Sequence, residues 1–124
     1  MIAVDSSTLI AYIQGDTGDD VTLLDRSIGS NRLVLPPVVL TEVMSDHALP
    51  AGHAALIKRL AVMDLHDGFW LRAAQMRATL LSQKLRARLA DTLVAQSCID
   101  HDVALIARDG DFRHFAKHCG LKLA

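Results

Sequence analysis

Short apolar runs alternate with stretches of helical spacing along the whole chain. Residues 1–4 are apolar up to Asp5 and predict a strand. Residues 6–14 follow as a short helix, and 15–18, bounded by two glycines, as a turn. In 19–28 the apolar residues Val21, Leu24 and Ile28 recur at helical spacing, and Gly29 stops the helix. Residues 32–35 predict a second strand, closed by Pro36 and Pro37. A helix over 38–47 is entered just after these prolines, where proline is tolerated. Residues 52–60 predict another helix and 61–65 a third strand. Asp67 reads as the N-cap of a long helix reaching about Lys84. Residues 91–101 predict a further helix. The run VALIA at 103–107 is the clearest internal strand. A last helix spans 111–119 with Gly120 as its stop, and 121–123 predict a final strand.

Strands separated by helices predict an α/β fold in which a parallel sheet is covered on both faces. A strand as uniformly apolar as VALIA fits a sheet buried on both sides. In such sheets functional groups collect beyond the carboxyl ends of the strands. Asp5 follows the first strand and Asp109 follows VALIA, so both belong at the same edge.

The chain has 124 residues, the size of a single domain spanning 1–124 that buries its own core. Its hydrophobic content of 51% is spread over runs far too short to cross a bilayer, so no membrane role is expected. The start MIAVD has no basic region before an apolar one and does not read as a signal peptide. A cytoplasmic setting follows, with Cys98 and Cys119 as small buried side chains rather than a disulfide. A net charge of -1 carries no global footprint for nucleic acid. Attraction to RNA would have to be local. Two basic stretches offer it: Lys84, Arg86 and Arg88, and then Arg108, Arg113 and Lys117. Each of these side chains also reads as an ordinary solvated charge. Among the six histidines, His114 and His118 have helical i, i+4 spacing but no third ligand. Phe69 and Trp70 read as core or dimer contacts.

Of the 14 acidic residues, five stand at element ends or amid apolar neighbours. Asp5 reads as an N-cap, or as a ligand if the hydroxyls of Ser6 and Ser7 cap the helix in its place. Glu42, in VVLTEVM, reads as a solvent-facing helix residue or as a ligand. Asp91 opens ADTLVAQSCI as a cap, a first-turn carboxylate or a ligand. Asp109 and Asp111 flank Gly110 as turn residues or ligands. As a set they are hard oxygen donors of the kind Mg²⁺ and Mn²⁺ take. Carboxylates brought to one point would repel one another without a cation.

The segments MIAVDSSTLIAYIQGD, LTEV and RARLADTLVAQSCIDHDVALIARDGDFRHF, in this order and spacing, resemble the PIN-domain nucleases. Within that family the chain resembles the VapC-type toxins of bacterial toxin–antitoxin pairs. The resemblance runs over nearly the whole chain. It implies a three-layer α/β/α sandwich with a central, mainly parallel sheet. It implies that Asp5, Glu42, Asp91 and Asp109 are the catalytic acids, with Asp5, Asp91 and Asp109 on the metal. Ser7 would orient the first carboxylate and Asp111 would support the fourth. From their place beside the acidic motifs, not from the resemblance, Arg86, Arg88 and Arg108 are the expected RNA contacts. The implied activity is Mg²⁺-dependent endoribonuclease cleavage by metal-activated water, with Mn²⁺ as a substitute cofactor. The implied partners are an RNA substrate, a cognate antitoxin and a second copy of the chain. One departure is Ala107, where the family often has Thr or Ser, so a supporting hydroxyl is missing. A stand-alone PIN nuclease without an antitoxin is the nearest alternative. A haloacid-dehalogenase-like phosphatase would need a second Asp where this chain has Ser7. A non-enzymatic binding module would act through apolar helices with no metal dependence.

Overall fold

The computed structural model describes residues 1–108 and 110–124. Four strands among them form one sheet: β1 (Ile2–Val4), β2 (Leu33–Leu35), β3 (Ala61–Val62) and β4 (Ala104–Ile106), in the order β3-β2-β1-β4. All neighbouring pairs are parallel. The connections run through α1 (Ser6–Ile13) and α2 (Asp19–Gly29), then α3 (Pro37–Met44) and α4 (Ala51–Lys58), then α5 (Phe69–Ser82) and α6 (Leu89–His101). A 3-10 turn, Gly110–Phe112, leads into α7 (Arg113–Cys119).

Successive residues of a strand point to opposite faces. Ala3 and Val4 of β1, and Leu105 and Ile106 of β4, are all buried, so helices cover both faces of the central strands. This is the three-layer α/β/α sandwich. One core joins Leu9, Leu24, Val39, Ile57, Leu80, Val94 and Phe115, one from each of the seven helices, around the strands.

Several elements differ from their expected form. The third strand is only Ala61–Val62, and both residues are exposed at the edge of the sheet. The run at 121–123 makes one parallel bridge, Leu105 to Leu123, rather than a strand. Asp67 does not cap α5. The cap is Gly68, whose φ of 79° favours a residue without a Cβ. Asp67 contributes its carbonyl instead, accepting from Arg72 Nη1 at 2.6 Å. Helix α6 starts at Leu89, so Asp91 lies inside its first turn. Phe69 is core, whereas Trp70 is 64% exposed on α5 and is no core residue. Both cysteines are free, Cys98 fully buried and Cys119 half-buried. Among the described residues no helix is long and apolar enough to cross a membrane.

Candidate functional site

The site begins where the parallel strands end. Val4 of β1 stands opposite Ile106 of β4, and the Asp5 backbone N–H donates to the Ile106 carbonyl at 2.9 Å. Asp5 and the segment after β4 therefore leave the sheet side by side. Asp5 is the N-cap of α1, and its carboxylate is buried. It accepts from the Ser7 hydroxyl at 3.0 Å and from the Ser7 backbone N–H at 3.5 Å. The serine hydroxyls thus do not cap the helix in place of Asp5. Ser7 holds Asp5, and Ser6 donates to Glu42 Oε1 at 2.9 Å. Adjacent serines in the first turn of α1 fasten two carboxylates from distant parts of the chain. Ser6 is the member of this set that sequence reading missed, because its partner lies on α3.

Asp91 approaches from α6. Two turns further along that helix lies Cys98, on the same stripe at i+7 spacing. Burial pushes the Cys98 thiol up to about 12, and the negative charge of nearby Asp5 adds to the effect. Cys98 itself is held as a neutral thiol and is no nucleophile. Asp91 and Asp111 share a cleft of about 120 Å³ with Arg86, Arg88, Arg113 and His114. Asp109 lies outside the described residues. Among the described residues no three carboxylate, imidazole or thiol groups gather closely enough to hold a metal ion. The carboxylates the fold does collect here supply oxygen donors only, the chemistry a hard divalent cation takes.

Three arginines are engaged within the protein. Arg72 is paired with Asp100, and Arg77 donates to the Ala87 carbonyl at 2.8 Å. Arg108 is held by Asp20, at 2.9 Å from Nε to Oδ2 and 3.2 Å from Nη2 to Oδ1. The guanidinium of Arg108 holds the Asp20 carboxyl below the usual carboxylate range, against the opposing effect of burial. The Arg108 side chain is thus paired with α2. Arg86, Arg88 and Arg113 form no ion pair among the described residues and face the cleft beside Asp91. Arg113 and His114 were legible in the sequence only as part of a basic stretch and of a histidine pair. The rings of His114 and His118 do stack, with centroids 6.5 Å apart.

The chain is thus a parallel α/β/α sandwich with an acidic side chain at the carboxyl edge of its central strands and an arginine-lined cleft. The chain belongs to the PIN domain family, whose sequence model matches residues 2–118. Solved structures that share the fold include the following three. VapBC2 from Rickettsia felis, crystallised with a DNA fragment from its promoter, is 17% identical with a TM-score of 0.77, covering 100% of this chain and 98% of that one. VapBC-5 from Mycobacterium tuberculosis, a member of the VapBC family of toxin–antitoxin systems, is 17% identical with a TM-score of 0.68, covering 98% and 95%. FitAcB from Neisseria gonorrhoeae is 14% identical with a TM-score of 0.70, covering 99% and 96%.

Proposed function

We propose that this chain is a divalent-metal-dependent endoribonuclease and the toxin of a toxin–antitoxin pair. The observation that carries the reading is the serine-linked pair at the end of β1: Ser7 on Asp5 and Ser6 on Glu42. A structural role alone does not require two acids from α1 and α3 to be oriented by adjacent hydroxyls at one sheet edge. Asp5, Asp91 and Asp109 would hold Mg²⁺ or Mn²⁺, with Glu42 beside them as the fourth catalytic acid and Asp111 in support. A bound cation of this kind lowers the pKa of a coordinated water and neutralises charge building on a phosphodiester. The protein's own contribution is to orient the carboxylates through Ser6 and Ser7 and to seat the strand's phosphates on Arg86, Arg88 and Arg113.

The toxin reading is supported by the similarity to VapBC and FitAcB structures, together with PIN family membership. An apolar groove of about 340 Å³ lies beside Glu42, walled by Ile10, Ile13, Val43, Leu49 and Pro50. It would receive the antitoxin. The exposed Trp70, Leu71 and Leu89 would meet a second copy in a homodimer. The setting would be the cytoplasm.

Purified protein should cleave RNA when Mg²⁺ or Mn²⁺ is present and stop when EDTA is added. Cleavage that persists in EDTA would sink the proposal. Metal-free binding of a 2′-O-methyl RNA should weaken as salt rises. Replacing Arg86 and Arg113 with Ala should make the log–log slope shallower by about 0.7 for each phosphate that is no longer neutralised. An unchanged slope would show that the cleft does not touch RNA.

A further inference from the structure

We infer that Asp20 and Arg108 are positioning residues: a clamp that sets the candidate metal ligand Asp5 by fixing the segment after β4 against α1. The inference rests on the metal-dependent nuclease reading and adds to it a part of the protein that sequence reasoning assigned to RNA.

The clamp joins three segments. Asp20, in the first turn of α2, binds Arg108 through both carboxylate oxygens. Nη2 of Arg108 also donates to the Thr17 carbonyl at 2.8 Å. Oδ2 of Asp20 accepts a second bond, from the Thr8 hydroxyl at 2.9 Å. Thr8 is fully buried in the first turn of α1, next to Ser7. The backbone N–H of Arg108 donates to Ser7 Oγ at 3.4 Å, and that hydroxyl in turn donates to Asp5 Oδ2 at 3.0 Å. An unbroken chain of bonds therefore leads from Asp20 through Arg108 and Ser7 to Asp5. Position 109, the fourth candidate acid, is the very next residue in sequence.

Gly18 makes room for this arrangement. A Cβ built there would stand 2.6 Å from Asp20 Oδ1 and 3.0 Å from Arg108 Nη2, and the φ of 150° disfavours other residues. The guanidinium's planar fork is what allows both carboxylate oxygens and a carbonyl to be met at once. An isolated ion pair this exposed contributes little to stability. Its position, two residues past the end of β4 and bonded back to Ser7, is what gives it leverage on Asp5.

The test compares the wild type with Asp20→Asn, Arg108→Lys and Gly18→Ala. Each is assayed for direct Mn²⁺ binding by electron paramagnetic resonance, for RNA cleavage against Mg²⁺ concentration, and for metal-free binding of 2′-O-methyl RNA. The expected result is a roughly 10-fold or greater loss of Mn²⁺ affinity in each variant, the size typical of residues that orient metal ligands. The Mg²⁺ needed for half-maximal cleavage should rise in parallel. Metal-free RNA affinity and its salt slope should stay near wild type in all three, and the melting temperature should stay near wild type in Asp20→Asn and Arg108→Lys, whose ion pair is exposed. The double variant Asp20→Asn/Arg108→Lys should be no worse than the poorer single one, since both break the same clamp. Wild-type Mn²⁺ affinity in Asp20→Asn and Arg108→Lys would overturn the inference. So would a loss of RNA affinity in Arg108→Lys with metal binding intact, because Arg108 would then be a substrate contact. Failure of the wild type itself to bind Mn²⁺ or cleave RNA would instead overturn the nuclease reading.

Discussion

Asp5→Asn and Asp91→Asn should each lower RNA cleavage at least ~100-fold, the scale at which losing one group that stabilises a charged transition state is felt. Both substitutions keep the shape of the side chain and remove its charge. Asn caps helices about as well as Asp, so α1 should still start at Ser6 when position 5 is Asn. Asp91 sits in the first turn of α6, where a negative charge is favoured by the helix dipole. Its replacement should therefore cost about 0.3–1 kcal/mol of stability, too little to unfold the domain. Removing the charge of Asp5 has a second readout, independent of activity. The Cys98 thiol, raised chiefly by burial and secondarily by Asp5, should titrate lower in Asp5→Asn while remaining above the ordinary thiol range. Asp64→Asn, at an exposed carboxylate just past β3, serves as the control and should cleave normally. Equal cleavage by wild type, Asp5→Asn and Asp91→Asn would mean that the activity belongs to a contaminant.

Phe115→Ala should destabilise the domain by about 3–5 kcal/mol, the usual cost of emptying a buried aromatic site. Phe115 is fully buried, and its ring lies 6.1 Å from that of Phe112, which is also buried. The pair anchors the 3-10 turn and α7 to the core, and with them the wall of the cleft that carries Asp111 and Arg113. The melting temperature should drop by roughly 10–20 °C for a domain of this length. Phe115→Leu, which refills part of the volume, should lose less than half as much. Denaturant titration of the three proteins measures the stabilities, and thermal melts measure the shift. A loss below about 1 kcal/mol in Phe115→Ala would show that this end of the molecule is not packed as described.

The alternation of apolar runs and helical spacing was enough to determine the fold class. Strand β4 and helix α2 lie within a residue or so of where the pattern placed them, because apolar runs and glycine stops act locally. Local signals failed where a tertiary contact decided the outcome. Residues 61–65 carry the composition of a strand, yet the ladder with β2 holds only Ala61 and Val62 and ends at the Met63 N–H, which donates to the Leu35 carbonyl. Asp67 is a good capping residue by type. The left-handed backbone that α5 requires at its start falls on Gly68 instead.

The candidate site divides along the same line. Strand-end reasoning puts Asp5 at the carboxyl edge of the sheet, since Asp5 follows its strand directly and the parallel pairing of β1 with β4 fixes which edge that is. Nothing local in VVLTEVM reveals that Glu42 meets Ser6, or that Asp91 shares a cleft with Asp111 and three arginines. It is the resemblance to a family that groups those acids in one site. Arg108 shows the limit most clearly: in sequence it is one more basic residue beside an acidic motif. Its partner Asp20 is 88 positions away on another helix, and the proposed clamp rests on that pairing. By itself the sequence determined which elements form and which acids end them. Which hydroxyl holds which carboxylate, and which arginines are left facing the cleft, was decided by the folding of distant segments against one another, because hydrogen bonds and ion pairs act only at contact distances that chain order does not specify.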